Sequence, residues 1–101
     1  MINIDAVAGA EQPEAAFTPQ NQAANVGDLI YWCNTTSDPH WPAPVIGGSV
    51  VEDSWMDYAI PGKLPNEPAP TSQQAVSFSS AGTYNYACAI HQEERGTITV
   101  T

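Results

Sequence analysis

Nine prolines are spread through this chain of 101 residues, and no window between them carries a helical stripe of apolar residues. Proline removes a backbone donor and clashes with the preceding turn, so it ends or kinks a helix wherever it falls inside one. What alternates here has a period of two. Ile2-Asn3-Ile4-Asp5-Ala6-Val7, Ala75-Val76-Ser77-Phe78 and Thr97-Ile98-Thr99-Val100-Thr101 each place every second residue on one face, the mark of a strand with one buried side. Gly27-Asp28 launches Leu29-Ile30-Tyr31-Trp32-Cys33, and Ala81-Gly82 launches Thr83-Tyr84-Asn85-Tyr86-Ala87-Cys88. The stretch from Trp55 to Ser72, with Pro61, Pro65, Pro68, Pro70 and Gly62, reads as a long stiff loop crossing the end of the fold. The expectation is an all-β chain: an antiparallel Greek-key β-sandwich of about seven to eight strands, forming a single domain over residues 1–101.

Charge narrows the partners. Lys63 and Arg95 are the only basic side chains besides two histidines, against eleven carboxylates, for a formal charge of -9. Nothing here could neutralise phosphates, which argues against nucleic acid and anionic membranes. A field of this sign steers a cationic protein surface toward the chain, and it also keeps a monomer soluble. No apolar run reaches the length of a membrane span, and no charged segment leads into a signal-like apolar stretch. Walker loops, nucleophile elbows and zinc-protease helices are absent, and the scattered carboxylates form no acid–base constellation.

The chemistry-bearing residues are few and well placed. Within Thr83 to Cys88, Tyr84, Tyr86 and Cys88 share one face, so the thiol ends a core-facing row and His91 follows in the turn after it. The other histidine stands in Asp38-Pro39-His40-Trp41. One thiolate and two imidazoles suit copper or zinc, and a trigonal His2Cys set with a weak axial partner is the arrangement of electron-transfer copper. Cys33 shares a face with Tyr31, opposite Ile30 and Trp32, and so points away from Cys88.

Two longer motifs carry a family resemblance. Gly27-Asp28-Leu29-Ile30-Tyr31-Trp32-Cys33-Asn34-Thr35-Thr36-Ser37-Asp38-Pro39-His40 resembles the strand and loop bearing the first histidine ligand of plastocyanin- and pseudoazurin-type blue copper proteins. Phe17-Thr18-Pro19 followed by Val26-Gly27-Asp28 is similar to their preceding segment. The run from Ala81 through Cys88, His91 and Gly96 to Val100 resembles their copper loop and last strand, with a spacing like the short loop of amicyanin. The resemblance leaves out roughly residues 42 to 73. It implies a cupredoxin with one copper ion cycling between Cu(I) and Cu(II), held by His40, Cys88 and His91. It also implies a redox partner protein, such as a cationic cytochrome, and a periplasmic or extracellular location, the export signal lying outside this sequence.

The fourth position departs from the pattern. Where the amicyanin spacing has methionine, this chain has Glu94, and its only methionines are Met1 and Met56. Glu94 is either an axial oxygen, which stabilises Cu(II) and shifts the site away from pure blue, or a solvated surface carboxylate with Arg95 or another charge as its partner. Gln92 and Glu93 are weaker candidates on spacing. Ile90 keeps an N–H where many relatives have proline, so the thiolate can accept backbone hydrogen bonds from Trp41 and Ile90, which favours Cu(I). Trp41 and Pro42 to Pro44 are expected to wall the metal loop as an apolar rim. Ala87 stands where plant plastocyanin has a tyrosine associated with its acidic docking surface.

Two other readings use the same residues. A copper site with an exchangeable position could bind or transform a small molecule, in the manner of nitrosocyanin, which also uses a glutamate but has a further histidine. A metal-free sandwich for binding is the other, in which Tyr86 imitates a tyrosine corner and Cys33 pairs with Cys88. The latter leaves no thiolate for a metal.

Overall fold

The computed structural model describes residues 1–6 and 15–101, and every regular element in them is a strand. Val7, at the end of the first expected strand, lies outside the described residues. The elements are β1 (Ile2–Ala6), β2 (Ala15–Thr18), β3 (Asn21–Ala24), β4 (Trp32–Asn34), β5 (Pro42–Ile46), β6 (Ser49–Val50), β7 (Gly82–Cys88) and β8 (Arg95–Val100). They form a three-stranded sheet ordered β2-β1-β4 and a five-stranded sheet ordered β3-β8-β7-β5-β6.

The alternating segments do what period two requires. Ile2 and Ile4 of β1, Ala15 and Phe17 of β2, and Ile98 and Val100 of β8 are buried, and their neighbours are more exposed. These faces meet Trp32 and Tyr86 in one core, where the Tyr86 ring stands edge-on to Phe17 at 4.7 Å and to Trp32 at 5.4 Å. Each of the Ile, Val and Phe side chains contributes about 1.5–3 kcal/mol by leaving water.

Two pairings are parallel, β1 with β4 and β3 with β8, so the sandwich is mixed in direction. In both, the chain visits the other sheet between the paired strands, through β3 in the first case and β4 in the second, and so makes the crossover that parallel neighbours require.

Two expected strands are shorter than their sequence pattern. Of Leu29–Cys33, only Trp32 and Cys33 enter β4, while Ile30 forms a lone bridge to Val76, the single paired residue of Ala75–Phe78. The segment from the proline-rich stretch to Val76 forms no continuous strand. It runs antiparallel beside Ile30 to His40, with bridges at Ile30–Val76, Cys33–Thr71 and His40–Ile60. Prolines remove the donors a continuous ladder needs, so isolated bridges form in its place.

β5 has no counterpart in the sequence analysis, because Pro42 and Pro44 argue against a strand. Pro44 offers its carbonyl to Val51 N on the side away from β7, at 2.9 Å, so by the two-residue period both missing donors face the outer side of the strand. Pro42 thereby sits beside Cys88 in register, and Pro42, Ala43 and Pro44 are all buried. They form a strand of the sheet and not an exposed rim.

Candidate metal centre

Backbone pairing positions the first histidine on both sides. His40 N donates to Ile60 O at 3.1 Å, and Ile60 N donates to His40 O at 2.8 Å. The approach to it is organised by Asn34, which is fully buried. Its Nδ2 donates to Asp38 O at 2.8 Å and Pro61 O at 3.0 Å, and its Oδ1 accepts from Thr36 N and Thr36 Oγ1 at 3.0 and 2.8 Å. One amide thus ties the loop before His40 to the loop beside it. Sequence reasoning missed this role, although Asn followed two residues later by a hydrogen-bonding partner is a known turn signal.

The other donors come from the connection between β7 and β8. Cys88 closes β7, and its N–H donates to Glu94 O at 2.9 Å, while Glu94 N donates to His91 O at 3.0 Å. These two bonds fold residues 88–94 into a tight loop whose Cys88, His91 and Glu94 side chains turn inward. Ala89 N donates to Trp41 O at 2.8 Å and Trp41 N to Cys88 Sγ at 3.3 Å, locking this loop against the segment that carries His40.

The four candidate residues meet in one place. One donor atom each from His40, Cys88, His91 and Glu94 lies within 4.8 Å of the others. Cys88 Sγ is 3.8 Å from Nδ1 of His40 and 3.8 Å from Nδ1 of His91. Metal–nitrogen and metal–sulfur bonds of about 2.0 and 2.3 Å place donors on a shared ion about 3.5–3.8 Å apart, so the spacing fits a metal between them. Glu94 Oε1 lies 3.0 Å from His40 Nδ1 and 3.5 Å from His91 Nδ1. Its Oε2 accepts the backbone N–H of Ala15 at 2.9 Å, a contact no sequence pattern announces.

Glu94 is buried, with its side chain 4% exposed, which overturns the alternative of a solvated surface carboxylate. Arg95 does not pair with it and donates to Gln92 O at 3.1 Å. Gln92 and Glu93 are exposed and take no part in the cluster. Cys33 and Cys88 are separate free thiols, and among the described residues the buried Tyr86 hydroxyl bonds to no backbone group, so neither the disulfide nor the tyrosine corner of the metal-free reading is present there. Ala87 is fully buried.

Burial shapes the protonation of the metal-free site. Desolvation lowers the His40 imidazole below its usual range, against the pull of the Glu94 carboxylate, while the neighbouring His91 lowers it further. Desolvation pushes the Cys88 thiol up, opposed by the backbone N–H groups of Trp41, His91 and Ile90. The metal-free site thus favours a neutral His40 imidazole and a protonated Cys88 thiol, whose proton a bound metal would have to displace.

No protein-family model matches the chain. The chain belongs to the cupredoxins, the family of small copper proteins whose sandwich it shares, and copper is its cofactor. Its likeness to plastocyanin from Scenedesmus fuscus carries the assignment, at 31% identity over 99 residues, covering 91% of this chain and 93% of the relative. Among solved structures, a purple cupredoxin from Nitrosopumilus maritimus superposes with a TM-score of 0.68 over the whole of both chains at 21% identity. A reduced amicyanin variant does so with a TM-score of 0.61 at 24% identity, covering 99% of this chain and 81% of its own. At these identities the two structures speak to the fold.

Proposed function

We propose that this single domain carries one electron at a time on a copper ion held by Nδ1 of His40, Sγ of Cys88 and Nδ1 of His91, with Oε1 of Glu94 as fourth, axial donor. The observation that carries the reading is the convergence of these four atoms within 4.8 Å inside a buried end of the sandwich. Copper supplies the one-electron couple. The protein supplies a cage whose donors are secured, His40 by Ile60, Cys88 by β7 and Trp41, His91 by the Glu94 N–H that its carbonyl accepts, and Glu94 by Ala15, so little rearranges when the charge changes.

Two of its features oppose each other. A carboxylate oxygen stabilises the more highly charged Cu(II), whereas N–H groups aimed at the thiolate withdraw charge and favour Cu(I). His91, with its side chain 15% exposed beside the exposed Ile90, is the candidate donor that solvent reaches best, and electrons exchange through its edge. The partner is a redox protein presenting a cationic surface, and the location is outside the cytoplasm. Among the described residues no helix is long and apolar enough to cross a membrane.

The test is Cu(II) titration of the reduced metal-free protein with optical and EPR spectra, repeated on Cys88→Ser and Glu94→Gln. One equivalent should give an intense thiolate-to-copper band that Cys88→Ser abolishes and Glu94→Gln shifts toward blue. A protein that gives no such band is not an electron-transfer cupredoxin of this kind.

A further inference from the structure

The two oxygens of Glu94 have different partners. Oε1 faces both imidazoles, and Oε2 is held by the N–H of Ala15 in a buried contact spanning 79 positions of sequence. Ala15 opens β2, which lies in the other sheet from the metal loop. We infer that the Ala15 N–H is a positioning group that restricts Glu94 to a single-oxygen contact with the metal and tempers its donor strength. This rests on the reading of Oε1 as the axial donor.

The physical argument is short. A hydrogen bond to one oxygen of a carboxylate draws charge from both, since the two share it, and fixes the plane in which the other points. Oε2 is thereby withheld from the metal. Without the N–H, the carboxylate can turn to offer both oxygens and donates more strongly, which favours Cu(II) over Cu(I). Ala15 is suited to this role because it is the first residue of a strand and presents only a backbone group to the carboxylate.

The experiment replaces the Glu14–Ala15 amide by an ester, which deletes the N–H and leaves the side chains untouched. Residues 1–32 are made synthetically and ligated at Cys33 to residues 33–101. Reduction potential and Cu(II) EPR are measured beside Glu94→Gln, with circular dichroism and thermal unfolding of the metal-free forms to verify folding. Ala15→Pro is a second, genetically encoded deletion of the same donor, at a strand position that tolerates proline.

The ester should raise the Cu(II)-to-Cu(I) affinity ratio about tenfold and make the EPR spectrum more tetragonal, the opposite of Glu94→Gln. In a Glu94→Ala background the ester should change neither. If Glu94→Gln shifts the spectrum and the folded ester protein does not, the inference is overturned while the axial reading stands. If Glu94→Gln itself leaves spectrum and potential unchanged, the axial reading fails and this inference fails with it.

Discussion

Asn34 does for the first histidine what the short loop does for the other donors. Its amide satisfies two carbonyls, one backbone N–H and one hydroxyl at a site with no exposure to water. Asn34→Ala strands those groups and should destabilise the metal-free protein by at least about 2 kcal/mol, read by urea unfolding. Asn34→Asp should not rescue it, because a carboxylate would face the Asp38 and Pro61 carbonyls that now accept its N–H groups. At this scale Cys88 and His91 were legible from their spacing and phase, and His40 from its motif. The burial of Glu94 was not, because a glutamate beside an arginine in a loop is most often a surface residue.

β7 and β8 show how an element influences the candidate metal centre through its packing. Tyr86 pairs with Gly96 across the ladder, and a methyl group on Gly96 would overlap the Tyr86 phenol ring. That ring is fixed by Phe17 and Trp32, so it has no direction in which to yield. Gly96→Ala should therefore cost about 1–3 kcal/mol, measured by urea unfolding. It should also alter the thiolate band, since Cys88 lies two residues on along the same face. A similar close approach occurs at Gly62, where an added Cβ would meet the Ser37 carbonyl. Strands β1 and β8 were readable from their period, and β7 from the Ala81-Gly82 turn that launches it. β5 was hidden by prolines whose missing donors turn out to face the outer side of the strand, a matter of neighbours that local pattern does not contain.

For the molecule as a whole, the charge of -9 with exposed Asp28, Glu52, Asp53, Asp57, Glu67 and Glu93 makes encounter electrostatic. Electron exchange with a cationic cytochrome, followed by stopped flow, should slow at least about tenfold as ionic strength rises from 10 to 300 mM, as screening shortens the field. An anionic partner should show the reverse trend. A rate independent of salt with both would remove charge from the account of docking.

By itself the sequence determined the β character, the sign of the surface, and which soft and nitrogen donors exist at which spacings, because these depend on residue type and local period. Tertiary structure alone decided that Glu94 faces inward, that Ala15 holds its second oxygen, that two strand pairs run parallel, and that a proline-rich stretch braces His40. Each of these depends on a partner far away in the chain, and whether a carboxylate meets water, a metal or a backbone N–H is settled by what folds against it.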